Sequence, residues 1–129
     1  MAWQFSSKQP VFKQIVSHIR ADILNGVYQP EQQIPPVRTL ALEAGVNPNT
    51  MQRALADLEA EGLLISRGTV GRFVTSDTQT LDKSRAEMRQ ETIERLISDA
   101  AARGITREEL IAYLSSPPAA SPPDNQTDN

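Results

Sequence analysis

The stretch IPPVRTLALEAGVNPNTMQR, Ile34 to Arg53, decides the fold. Val37 and Leu40 begin an apolar face that Ala41 to Ala44 continue, and Gly45 stops that helix where a residue with positive φ is wanted. Asn47-Pro48 opens a second helix: Asn is a good N-cap, and Pro at the first helical position loses only an N–H that would have had no intrahelical partner. Two short helices with Gly in the turn between them read as a helix-turn-helix. A helix pair of this kind also occurs in ordinary helical domains, so the residues downstream carry weight. Gly62 is followed by LLISR, a glycine-containing turn and GRFVT, which read as a β-hairpin in the position of a wing.

Working outward, Val11, Ile15, Ile19 and Ile23 recur every four residues after Pro10, with Phe12 and Val16 widening the stripe, and predict a first helix ending at Asn25-Gly26. His18 lies off that stripe and reads as a solvated or capping side chain. Residues 1–9 are polar apart from Trp3 and Phe5 and read as an arm lying on the domain or on a partner. Ile34 is expected as a short extended residue packed under the hairpin.

In the helix from Pro48, Met51, Ala54, Leu55 and Leu58 form the buried stripe and leave Asn49, Gln52, Arg53 and Ala56 outside. That outer face is polar and carries one charge, Arg53, which suits side chains that match donors and acceptors on base edges. Asp57, Glu59 and Glu61 come later, at the end expected to point away. In the hairpin, Leu63, Ile65, Phe73 and Val74 are expected to cover the core, with Arg67 and Arg72 flanking the tip Gly68-Thr69-Val70-Gly71. A glycine-bearing tip can approach a phosphate backbone closely. An arginine pair on a hairpin is equally well explained as a solubilising feature.

After Thr75 the character changes. Ser76 to Thr80 reads as a polar linker, and a helix is expected from about Leu81 to Arg103 with Met88, Thr92, Ile93, Leu96, Ile97, Ala100 and Ala101 on one side. Gly104 ends it. Thr106-Arg107-Glu108-Glu109 is a capping box opening a short helix whose apolar face is Leu110, Ile111, Tyr113 and Leu114. The stripe Met88, Thr92, Leu96, Ala100, with Ile93 and Ile97 beside it and Leu81, Leu110, Ile111 and Leu114 at its ends, is more apolar surface than a lone helical pair hides, so a two-fold partner is the expected cover. The competing reading folds this extension back onto its own first domain as a monomer. The fold class is therefore mainly α with a small β-hairpin wing, in three parts: a winged helix-turn-helix domain over residues 1–76, a two-helix dimerisation extension over 77–115, and a disordered tail over 116–129, proline-rich and polar.

Composition bounds the function. A chain of 129 residues holds one small domain plus an extension. No apolar run approaches bilayer length and the N-terminus lacks a signal pattern, so a soluble cytoplasmic protein with no membrane partner is expected. With no cysteine and one histidine, disulfides and thiolate or multi-histidine metal sites are excluded, and no cofactor is expected. No phosphate-cradling loop or pair of catalytic carboxylates is present, so an enzyme is not expected. The net charge of −3 argues against coating nucleic acid by bulk electrostatics. Residues 1–76 hold seven Lys/Arg against six Asp/Glu, and residues 77–129 six against ten, so any DNA contact must rest on a local face.

Taken together, PVFKQIVSHIRADILNGVYQP, IPPVRTLALEAGVNPNTMQRALADLEAEGLL and SRGTVGRFV resemble the winged-helix domain of GntR-family bacterial transcription regulators over about Pro10 to Thr75. The short helical extension looks like the YtrA subfamily, whose members are homodimers often linked to transporter operons. The resemblance implies that Arg38 contacts phosphate or a guanine edge, that Asn47, Pro48, Asn49, Thr50, Gln52 and Arg53 form the start of the recognition helix, and that Gly71 is the wing-tip glycine. It implies a homodimeric regulator, most readily a repressor, on an inverted-repeat operator in double-stranded DNA. Glu31 departs from the family, standing where Gly is usual; so do Pro36, in place of Ser, and Gly68, where many members carry a second arginine. A different class of function is a winged-helix protein-interaction module. Nothing in the residues identifies a small-molecule effector; one would have to use the dimer interface or the helix-to-wing junction.

Overall fold

In the computed structural model, which describes residues 2–116, five helices and one two-stranded hairpin follow in the order α1 Val11–Leu24, α2 Val37–Ala44, α3 Pro48–Ala60, β1 Leu64–Arg67, β2 Gly71–Val74, α4 Thr78–Ala102 and α5 Arg107–Ser115. The tail expectation falls, beyond Ser116, outside the described residues. No helix among those described is long and apolar enough to cross a membrane.

The chain divides into two compact units, Met1–Ala86 and Glu87–Asn129. In the first, α3 is the centre: α1, α2 and β1 all pack on it. Its stripe Met51, Ala54, Leu55 and Leu58 has no exposed surface, and Ile15, Ile19, Leu40, Leu63 and Leu64 close over it. The turn before α3 works through Gly45, whose φ of 76° lets its N–H reach the Ala41 carbonyl at 2.9 Å while the Val46 N–H takes the same oxygen at 3.0 Å. The N-terminal arm lies on its own domain. The Trp3 N–H donates to the Ala44 carbonyl, the Trp3 ring stacks on His18 at 3.7 Å, and the Gln14 amide donates to the Ser6 and Gln9 carbonyls. His18 Nε2 also lies 3.5 Å from Asp22 Oδ2. Burial, and then the carboxylates of Asp22 and Glu43, push the Tyr28 phenol above its ordinary range.

The hairpin pairs Leu64 with Val74, Ile65 with Phe73, Ser66 with Arg72 and Arg67 with Gly71. A third extended segment runs along the free edge of β2: the Glu31 N–H donates to the Val74 carbonyl, the Val74 N–H to Gln32, and the Ile34 N–H to Arg72. This buries Ile34 to 3% exposure, as its position under the hairpin predicts. The hairpin register corrects one expectation. Ile65 and its partner Phe73 are expected inside, but Ile65 is 42% exposed and Phe73, half-buried, shares its outer face, while Leu64 takes the core position at 1%. Three consecutive apolar residues, Leu63 to Ile65, offer no alternation from which to choose a face, and with a period of two, a shift of one residue turns every side chain over.

Glu31 has φ 69°, the sole positive φ on a non-glycine among the described residues. The hydrogen bond from its own N–H to Val74 holds the chain in a conformation that L-residues resist. Glu31→Gly is therefore expected to raise stability by about 0.5–1 kcal/mol, the relief of the left-handed conformation less the extra unfolded-state entropy of glycine. Urea unfolding of the two proteins checks it, and an unchanged or lower midpoint would speak against strain at this turn.

Helix α4 begins earlier than expected, at Thr78, because Asp77 caps it: Asp77 Oδ1 accepts from the Gln79 N–H at 3.2 Å and Oδ2 from the Thr80 hydroxyl at 2.7 Å. Its first turns belong to the first unit, which extends ten residues past Ser76. Leu81 is 6% exposed there, and the Arg85 guanidinium donates to the Leu24 carbonyl at 3.1 Å. Leu81 is thus a core residue of the first unit and is removed from the set available to a partner.

In the second unit, α4 runs on to Ala102 and Gly104 turns the chain. The capping box is formed: the Glu109 N–H donates to Thr106 Oγ1 at 3.1 Å and the Thr106 N–H to Glu109 Oε1 at 2.8 Å. Ala100 is 7% exposed, its carbonyl accepting from the Ile105 N–H, so it too is covered by its own chain and cannot meet a partner. Ile93, Leu96, Ile111 and Leu114 are at least half exposed, while Met88, Ile97 and Leu110 are half-buried and Thr92 turns its hydroxyl back onto the Met88 carbonyl.

Candidate nucleic-acid interface

The outer face of α3 is the first component. Asn47 Oδ1 accepts the Asn49 N–H at 2.7 Å, which spends the Asn47 side-chain oxygen on capping, and Pro48 follows as the first helical residue. Asn49, Gln52 and Arg53 are exposed and Thr50 is half-buried. The side chains of Asn49 and Gln52 make no hydrogen bond to any described residue, so their donors and acceptors face solvent in pairs that match an adenine edge. Arg53 is held: its guanidinium carbon lies 3.6 Å from the centre of the Phe12 ring. Phe12 thus fixes where the one charge of this face sits, a cation–π contact between helices that spacing along the sequence does not reveal.

The start of α2 lies beside the start of α3, where Pro36, Val37, Arg38, Thr39 and Pro48 line one shallow depression. Arg38 is exposed on it. Pro36 supplies no side-chain cap to α2, as its substitution for the family's usual Ser implies.

The wing is the second component. A cleft of about 380 Å³ lies beside it, lined by Gln52 of α3, by Pro36 and Val37 at the start of α2, and on the wing side by Gln33, Ser66, the tip residues 68–71 and Arg72. Arg67 points outward with its guanidinium 4.4 Å from the Phe73 ring centre. Arg72 does not flank the tip as expected. It lies on the Val74 face of β2, pointing back toward α3, where its Nε donates to Glu59 Oε2 at 3.1 Å with the side chain 16% exposed. The same one-residue register that exposes Ile65 turns Arg72 inward, leaving Arg67 as the outward arginine of the tip.

Two of the three carboxylates at the end of α3 are neutralised locally. Glu59 holds Arg72, and Glu61 pairs with Arg20 of α1, whose Nε donates to Glu61 Oε1 at 3.0 Å. Gly68 stands in open space, whereas Gly71 does not: a Cβ there would come within 2.7 Å of Gln33 Nε2. Sequence reading missed Phe12, Gln33 and the Glu59–Arg72 pair as contributors to this face. Among the described residues no cluster of three or more His, Cys, Asp or Glu side chains could hold a metal ion.

Residues 12–74 match the model of the family described as bacterial regulatory proteins, gntR family. The transcriptional repressor YtrA of Bacillus subtilis is 31% identical over 109 residues, 84% of each chain. A GntR family transcriptional regulator from Listeria monocytogenes superposes with a TM-score of 0.76 at 32% identity, over 86% of this chain and 97% of that one. The DNA-binding domain of AraR in complex with its operator ORE1 matches with a TM-score of 0.52 at 32% identity, over 58% of this chain and 93% of that domain.

Proposed function

This chain belongs to the gntR family of bacterial regulatory proteins, and from that premise we propose how it works: as a cytoplasmic transcriptional repressor that reads an inverted-repeat operator as a homodimer. The observation that carries the DNA-reading part is the outer face of α3, where two amides without partners and one ring-held arginine face solvent, with Gln52 also lining the cleft beside the wing. Asn49 and Gln52 read base edges in the major groove; Arg53 and Arg38 pair with guanine or phosphate; Arg67 and the open Gly68 follow the backbone. Asn47, Pro48 and Thr50 set the entry of the helix rather than read sequence.

The dimer part rests on α4 and α5. Ile93, Leu96, Ile111, Tyr113 and Leu114 are 50–67% exposed on two helices of a small unit, an apolar surface that a second copy would remove from water. Two copies would place two α3 helices about one DNA turn, roughly 34 Å, or a multiple of it apart. Likeness to the transcriptional repressor YtrA supports repression as the direction of control.

Binding to a fluorescent duplex of randomised sequence, titrated with salt, tests the DNA-reading part against a protein-interaction module. A groove reader binds at low salt, and log K falls linearly with log salt. A protein-interaction module shows no saturable binding at any salt concentration, and that result would remove the proposal.

A further inference from the structure

Gln33 lies outside α3 and outside the hairpin, yet it meets the wing tip at three points. Its Nε2 donates to the Val70 carbonyl at 2.7 Å. Its backbone forms an antiparallel bridge with Phe73, the residue on which Arg67 stacks. Its amide also fills the space beside Gly71 that a Cβ would occupy. Apart from this contact, the tip is closed only within the hairpin, by the Val70 N–H donating to the Arg67 carbonyl at 3.0 Å and the Arg67–Gly71 pairing; Gly68 has no neighbour within 4 Å of where a Cβ would sit, and Thr69 and Val70 are exposed.

We infer that Gln33 is a positioning residue for DNA binding, its side-chain amide clamping the wing tip so that Arg67, stacked on Phe73, is presented at a fixed place on the outer face of the wing. This rests on the reading of α3 and the wing as the DNA-binding face. Gly71 then has a reason other than close approach to phosphate. With φ 134° and the Gln33 amide against it, it is glycine because the clamp needs the room. An untethered tip would sample many positions, and ordering it on DNA would offset part of what the Arg67 contact contributes.

The test is a double-mutant cycle between Gln33→Met and Arg67→Ala in the full chain, read on the duplex that the unaltered protein selects from a randomised library. Met has nearly the length of Gln, carries no donor and leaves the charge unchanged, so any change in salt slope must come through another residue. Gln33→Met is expected to weaken binding about three- to tenfold and to flatten the salt slope, with unfolding by urea showing the variant folded. Arg67→Ala is expected to do the same, and the double variant to be little worse than either alone. Gly71→Ala, which evicts the amide from the other side, is expected to reproduce the Gln33→Met slope. If Arg67→Ala lowers binding by the same factor with Gln33 and with Met, or has no effect in the unaltered protein, the clamp is overturned while the DNA-binding reading stands. If no sequence is selected at all, it is that reading that fails.

Discussion

Leu96→Asp is expected to give a folded monomer whose affinity for the full inverted repeat is about 10²–10⁴-fold lower than that of the unaltered protein, while its binding to a single half-site is unchanged. Leu96 is 52% exposed in the middle of α4, so within one chain the substitution disturbs no core. In a dimer it would bury an unpaired carboxylate in an apolar contact, which is strongly unfavourable. The loss of affinity follows from charge and area. A winged helix that presents Arg38, Arg53 and Arg67 on its binding face makes few phosphate contacts, and a second covalently independent copy contributes through effective concentration only when the two are joined. Sedimentation and a gel-shift titration on the same samples check it. A Leu96→Asp protein that remains dimeric, or a monomer with undiminished affinity for the repeat, contradicts the account. Truncation serves as a second route only if the cut falls after Ala86, because Leu81 and Arg85 complete the first unit.

Gln52→Ala is expected to abolish preference at one position of each half-site, a loss of about 1–3 kcal/mol of discrimination, with little change in salt dependence. Arg67→Ala is expected to act in the opposite way, weakening all sequences alike and lowering the salt slope by about one for each phosphate contact removed. Arg72→Ala should behave differently from either: with its guanidinium on Glu59, it acts on the seat of the wing and on stability rather than directly on phosphate. Binding profiles over all single-base variants of the selected site, at two salt concentrations, separate these. If Arg67→Ala changes base preference and Gln52→Ala leaves it untouched, the assignment of roles is wrong.

Most of the fold was legible because the signals are local. The four-residue recurrence in α1, Gly45 and Asn47-Pro48 around the turn, and the box from Thr106 to Glu109 each specify a helix or its end within a few residues. What was not legible depends on partners far along the chain. Leu63-Leu64-Ile65 is apolar throughout, and only packing against α3 and pairing with β2 choose Leu63 and Leu64 as the buried members and leave Ile65 outside. Leu81 looks like the first residue of an extension until Asp77 is seen to start the helix early and bring it under the first unit. The outer face of α3 was readable from periodicity, yet the devices that steady it were not: Phe12 lies 41 residues before Arg53, and Gln33 lies 37 before Val70. Glu31 stands where the resemblance has glycine, and its φ of 69° gives the physical reason for that preference.

Selection from a randomised duplex library, with sequencing of the bound fraction, tests the central claim most directly. The account predicts enrichment of an inverted repeat whose half-sites lie about one helical turn, roughly 34 Å, or a multiple of it apart, and loss of one defined base from each half-site when the selection is repeated with Gln52→Ala. A bound fraction with no enriched sequence, or an enriched sequence that Gln52→Ala leaves unchanged, would contradict it.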